Sequence, residues 1–389
     1  MKIAECMHRL GTETAFEVLA RARALEAQGQ EVIHLEIGEP DFDTPANVVE
    51  AGVAALRAGH THYTPSPGIG ELRAEIARQI AATRHIDVVP DQVVVTPGAK
   101  PIMFFTILAL CEPGDEVVYP NPGFPIYESM INFVGATPVP APLREARQFR
   151  LDVDELASLV NDRTKLIIVN SPHNPTGGVL AKSDLEAIAE LAKKHDAVVL
   201  SDEIYSRIIY DGEHHSVSSF PGMAERTIVL DGFSKTYAMT GWRLGYGVFP
   251  PELAPLVSRL VTNSVSCTPA FTQMAGIEAL TGPQDAPARM VEEFRRRRDV
   301  LVSGLNAIPS LHCELPAGAF YAFPNVTGLG VDCRTFADRL LYEGGVATLS
   351  GPSFGKYGEG FVRLSYANSI ENLHKALDRI DTVARKLRR

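Results

Sequence analysis

The sequence predicts an α/β protein: a mostly parallel central sheet with helices on both faces, followed by a smaller α+β domain. Three observations carry this. Short apolar runs recur along the chain, Val93-Val94-Val95, Val117-Val118-Tyr119, Leu166-Ile167-Ile168-Val169, Ala197-Val198-Val199-Leu200 and Ile228-Val229-Leu230, as expected of strands covered on both faces. Helical patterns separate them, the alternation of a parallel sheet. The runs end in turns carrying Gly, Pro, Asn, Ser and charged residues, and open α/β sheets bind ligands beyond the carboxyl ends of their strands. With 389 residues, 45% hydrophobic and 22% charged, the chain is long enough for two domains. The expected division is an N-terminal segment, 1–45, packing with the small domain, a large domain, 46–284, and a small C-terminal domain, 285–389.

Several function classes are disfavoured. A formal charge of −10 and a pI near 5.6 argue against a nucleic-acid partner held by its phosphates. The basic run Arg295 to Arg298 follows Glu292 and Glu293 on a predicted helix, and is expected to be a solvated, salt-bridged face. Five scattered cysteines without a C-x-x-C pair fit a reducing compartment rather than disulfides or a thiolate metal site. His60 and His62 lack a nearby carboxylate or cysteine to complete a metal-ligand set. Met1 to His8 has no signal-peptide stretch, and the longest apolar run, Ile102 to Cys111, is about half of the ~20 residues of a membrane span. The expectation is a soluble cytoplasmic protein.

Taken in order, a helix is predicted over Ala15–Gln28, with Phe16, Leu19, Ala22 and Leu25 on one face, either covering a site or packing on the body. A strand over Val32–Ile37 runs into Gly38, which has no side chain to keep backbone from a ligand. A helix over Ala46–Ala58 precedes the loop of Tyr63. Strand Val93–Val95, turn Gly98-Ala99 and a helix beginning near Lys100 leave backbone N–H groups for an anion. The next strand delivers Phe124. Another leads into Asn170-Ser171-Pro172-His173-Asn174-Pro175, where the Asn174 amide can donate and His173 is a spacer. The strand ending at Leu200 presents Asp202 and Tyr205; a buried carboxylate there needs a partner, and Glu203 should point away. After Ile228–Leu230 comes Gly232-Phe233-Ser234-Lys235, with Arg243 and Gly245 beyond. A desolvated lysine there can form an imine with an aldehyde, and Ser234 and Arg243 suit a phosphate. Beyond residue 285, a helix through Arg298 and Val302 and a short strand bearing Arg363 complete the pattern.

The stretch from Gly232 through Lys235 and Arg243 to Gly245 resembles the lysine signature of class I aminotransferases, which use pyridoxal 5′-phosphate (PLP). Six motifs follow in family order from Gly38 to Arg363. The resemblance implies a fold-type I PLP-dependent transferase of the class I/II group. It assigns Lys235 the covalent link to PLP and the relay of the α-proton, and Asp202 the protonated ring nitrogen. Asn174 and Tyr205 fall at the 3′-oxygen and Phe124 on the ring, where many relatives carry Tyr or Trp. Gly98, Ala99, Lys100, Ser234 and Arg243 surround the phosphate, and Tyr63 reaches the neighbouring subunit's phosphate in a homodimer with shared sites. Arg363 binds the substrate α-carboxylate, with Gly38 and Asn174 also on the substrate side; Lys100 stays open between phosphate and substrate.

The implied reaction moves the α-amino group of an amino acid to a 2-oxo acid, 2-oxoglutarate by analogy, by a ping-pong mechanism. No arginine for a distal carboxylate stands near Asn263–Ser266. Lys100 would suit an acidic side chain, and Phe16 and Phe124 an apolar or aromatic one, so the donor is open. A PLP-dependent β-elimination lyase or decarboxylase would keep every residue named. A PLP-sensing regulator is disfavoured, because about 30 residues before the first strand are too few for a DNA-binding domain.

Overall fold

The computed structural model describes residues 1–387. Among them a seven-stranded sheet runs, edge to edge, Val93–Thr96, Gly245–Val248, Thr227–Gly232, Val198–Asp202, Thr164–Asn170, Glu116–Asn121, Thr137–Pro142. All neighbours are parallel except Gly245–Val248, which is antiparallel to the strand on each side. The apolar runs are continuous because both faces are covered. Successive side chains of a strand alternate between faces: Leu166 and Ile168 enter one core with Leu200, Ile228 and helix residues Ile102 and Phe105. Ile167 and Val169 enter another with Val199 and helix residues Leu185 and Ile188. A third core joins Val93, Val95 and Val229 to Leu72, Ile76 and Ile80 of the Gly70–Arg84 helix.

Toward the C-terminus, Leu349–Ser350, Val362–Ser365 and Tyr321–Ala322 form an antiparallel sheet in that order. It shares its core with helices Asp285–Ala307 and Ile370–Leu387 through Leu301, Leu305, Leu373 and Leu377. The strand expected over Val32–Ile37 is confined to Ile33–His34, which pairs in parallel with Val346–Ala347. The extended chain continues beside it: Leu35 N–H donates to the Ala347 carbonyl at 3.0 Å, and Ser365 N–H to the Leu35 carbonyl at 2.7 Å. This stitching lays Glu36–Gly38 alongside the strand that carries Arg363.

The basic run departs from expectation. Arg297 and Arg298 are buried; Arg297 bonds Asp41 at 2.6 Å and Arg298 bonds Asp299 at 2.8 Å, with its guanidinium 4.7 Å from the Tyr210 ring centroid. Successive helical residues are about 100° apart, so four of them point around most of the helix and do not all face solvent.

Candidate active site

Because the long strands share a direction, their carboxyl ends lie along one edge of the sheet. A cavity of about 850 Å³ opens there, bounded by Ala99 and Lys100, Phe124, Asn174, Asp202, Ser234 and Lys235, each just past a different strand or its turn, and by Arg363 from the small sheet. The helix Thr14–Glu26 contributes Phe16 and Leu19. A sequence with a net charge of −10 thus gathers Lys235, Arg243 and Arg363 around one cavity. None of the three forms an ion pair among the described residues.

Lys235 Nζ donates to the Gly38 carbonyl at 2.5 Å. Burial lowers its pKa from 10.5 to about 8, with Glu39 acting in the opposite sense, so a useful fraction of the amine is unprotonated near neutrality. Its neighbour Ser234 is buried in the same wall. Arg243 adopts a positive φ of 55° and donates through Nη1 to the Thr240 carbonyl at 2.7 Å. Two glycines let this turn close: a Cβ on Gly98, itself at φ +82°, would overlap Arg243 Nη2, and one on Gly245 would overlap the Ala99 amide. The start of the Lys100–Leu110 helix, Ser234 and the guanidinium therefore stand together as an anion cradle.

Deeper in, Asp202 Oδ2 accepts from Tyr127 Oη at 2.6 Å and Oδ1 from the Ile204 amide at 3.3 Å. Burial nevertheless raises its pKa from 3.8 to about 6: the carboxylate has donors but no cation. Glu203 faces away, as expected, bonded to Arg84 at 2.8 Å, His214 at 2.9 Å and Ser201 at 2.8 Å. Burial would raise it, but Arg84 and His214 hold it well below the usual carboxylate range.

Arg363, only 4% exposed, has its guanidinium 4.6 Å from the Tyr321 ring centroid and 5.0 Å from that of Phe354. Nη1 donates to Asn174 Oδ1 at 3.2 Å, Nη2 to the Glu36 carbonyl, and buried Nε has no partner among the described residues. Tyr205 and Tyr321 hydroxyls meet at 2.7 Å. Gly38 is required beside them, since a Cβ there would strike the Tyr321 hydroxyl.

The predicted residues thus converge on one cavity, with two exceptions. Gly98 lies behind Arg243 rather than on the wall, and Tyr63, 89% exposed, stands outside it. Lys100 pairs with Glu13. His173, buried and held at about 3 by that burial, lies off the cavity and bonds Thr176 at 2.8 Å. Sequence reasoning passed over Tyr127, Tyr321 and Glu13. Tyr127 sits three residues after Phe124 in the first turn of the helix Ile126–Val134, and its ring packs edge-on against Phe124 with centroids 5.6 Å apart; the other two carried no local signal.

A family model described as aminotransferase class I and II matches residues 30–380. An aspartate aminotransferase of Pyrococcus abyssi is 42% identical over 361 residues, 92% of each chain. Aromatic-amino-acid aminotransferase 2 of Thermococcus litoralis is 40% identical over 365 residues, 92% of this chain and 94% of that one. The solved structure of Thermus thermophilus aspartate aminotransferase with maleate superimposes with a TM-score of 0.94 at 38% identity, covering 98% of this chain and 100% of that one.

Proposed function

The chain belongs to the class I and II aminotransferases, and from that membership we propose that its cavity holds pyridoxal 5′-phosphate and moves the α-amino group of an amino acid to a 2-oxo acid, with 2-oxoglutarate as acceptor. The observation that carries this reading is an electrostatic mismatch. Among the described residues Arg243 and Arg363 lack anionic partners and Asp202 a cationic one, and beside them lies a desolvated lysine amine. A phosphate, a substrate carboxylate and a protonated ring nitrogen are the groups that would complete them. The residues present therefore fit the cofactor.

When bound, pyridoxal phosphate supplies an electrophilic aldehyde and an electron sink for the charge that develops at the substrate α-carbon. The chain's own residues do the rest. Ser234, Arg243 and the amides around Ala99 and Lys100 would hold the phosphate, Asp202 would keep the ring nitrogen protonated, Phe124 would cover the ring, and Asn174 and Tyr205 would donate to the 3′-oxygen. Arg363 grips the α-carboxylate through two parallel hydrogen bonds, which fixes the α-carbon relative to Lys235. The Lys235 amine, near 8 because it is buried, takes the α-proton as base and gives it back as acid. One amino acid enters and its oxo acid leaves before the second oxo acid binds, a ping-pong order.

We also read Tyr63, exposed and aromatic, as completing the phosphate site of a second copy in a homodimer. The division at residues 45 and 284 and a cytoplasmic setting, in keeping with five free cysteines, belong to the same proposal. The test is to add single amino acids, without oxo acid, to PLP-loaded protein. A change in the cofactor's visible band with release of the matching oxo acid is expected, and Lys235→Ala should show neither. Release of ammonia or carbon dioxide instead would replace this reading with a lyase or decarboxylase.

A further inference from the structure

We propose that Glu13 sets the side-chain preference of this enzyme. By holding Lys100 it leaves the cavity suited to a bulky, uncharged side chain and opposed to a distal carboxylate; this rests on the aminotransferase reading above. Glu13 immediately precedes the helix Thr14–Glu26, which roofs the cavity. Its carboxylate accepts from Lys100 Nζ, which stands 5.4 Å from the Phe124 ring centroid.

The charge inventory of the wall gives this contact its weight. Lys235, Arg243 and Arg363 are engaged by cofactor and α-carboxylate. His34 sits between Glu36 at 2.7 Å and Glu26 at 3.0 Å, and Arg23 faces Glu26 at 4.0 Å from a largely exposed position. Among the described residues of this chain that line the cavity, Lys100 is the remaining cation for a second carboxylate, and Glu13 pairs with it. Phe16, Leu19, Ile37, Leu349 and Phe354 give the cavity apolar surface on that side, and the neutral Thr14, Ser353 and Asn368 beside them offer a carboxylate no positive charge. A dicarboxylic substrate must part Glu13 from Lys100 and then sit beside a displaced like charge, and such a repulsive element discriminates as effectively as an attractive one. An uncharged side chain leaves the pair intact. The same contact raises KM for a dicarboxylic acceptor such as 2-oxoglutarate without excluding it.

The experiment compares wild type, Glu13→Gln and the double variant Glu13→Gln with Lys100→Met, all PLP-loaded. Half-reaction kcat/KM is measured for phenylalanine and aspartate, and calorimetric Kd for the unreactive 3-phenylpropionate and succinate. Wild type should favour the aromatic member of each pair. Glu13→Gln should raise the dicarboxylate-to-aromatic ratio by about tenfold or more in both measurements, and the double variant should lose that rise. An unchanged ratio in Glu13→Gln, an equal rise without Lys100, or a wild type that prefers aspartate would each overturn the proposal. The binding ratios do not depend on turnover, so a shift in them without oxo-acid release would sustain the role of Glu13 and refute the reaction.

Discussion

Replacing Asp202 by asparagine should make the cofactor-free protein more stable and useless as a catalyst. Burial raises the Asp202 carboxyl from 3.8 to about 6, even with Tyr127 and the Ile204 amide donating to it. The folded state therefore binds this proton more tightly than the unfolded chain. The sign follows: stability is greatest below about pH 4 and falls as pH climbs to about 6. A shift of roughly two units corresponds to about 3 kcal/mol of destabilisation above that window. Asparagine stays neutral throughout and can still bond Tyr127. In urea unfolding of cofactor-free protein, Asp202→Asn should thus exceed wild type by up to about 3 kcal/mol near pH 8, with the difference closing below about pH 4. Carboxylates remote from Asp202 titrate alike in both proteins and cancel, and the like charges of Asp231 and Glu203, which act on Asp202 in the same raising sense, are relieved in the variant and so reinforce the sign. With PLP bound the order should reverse, because the wild-type carboxylate then gains a cationic partner. A variant less stable than wild type near pH 8 without cofactor, or a difference independent of pH, would refute the reasoning.

Two further outcomes follow from buried cations. Arg363→Lys should lower kcat/KM for every amino acid alike, by about a hundredfold or ~3 kcal/mol, because a point charge cannot reproduce the planar fork; a loss confined to some substrates would detach Arg363 from the common carboxylate. Arg84→Met should destabilise the fold by about 3–5 kcal/mol, read as a drop in Tm, since it takes the arginine from two buried carboxylates, Glu203 at 2.8 Å and Asp231 at 3.1 Å, leaving Glu203 with His214. Adding Glu203→Gln and Asp231→Asn should recover part of it, and an unchanged Tm in Arg84→Met would show that the network contributes nothing.

The inner strands of the sheet were legible because they are covered on both faces and so are written as uninterrupted apolar runs, Leu166 to Val169 being the clearest, whereas the partly exposed edge strand Thr137–Pro142 carries no such run. The site residues were legible because the chain places them in short turns just past those runs, where sequence proximity to a strand end is also proximity in space. Contacts between distant elements had no such trace. Glu13 and Lys100 lie 87 positions apart, and nothing around Glu13 distinguishes it from a solvated loop acid. Arg297 and Arg298 were misjudged for the same reason: their partners Asp41 and Asp211 come from other segments, and only the fold shows which of four adjacent arginines face inward.

Asp202 and Glu203 show how one pair of adjacent carboxylates is given opposite chemistry. Alternation at the strand end turns them to opposite sides. Both are buried, so both begin with the same desolvation penalty. Glu203 meets Arg84 and His214, and that pairing keeps it ionised and structural. Asp202 meets only neutral donors, so its charge stays unbalanced at the floor of the cavity. The same logic separates the cations: Arg84 is satisfied by two carboxylates, whereas Arg363 is held by an amide oxygen and a carbonyl and keeps its net charge. Buried charges with full partners stabilise the fold, and those given only neutral partners hold their electrostatic capacity for ligands. The stabilisation expected from Asp202→Asn in the cofactor-free protein follows from that division.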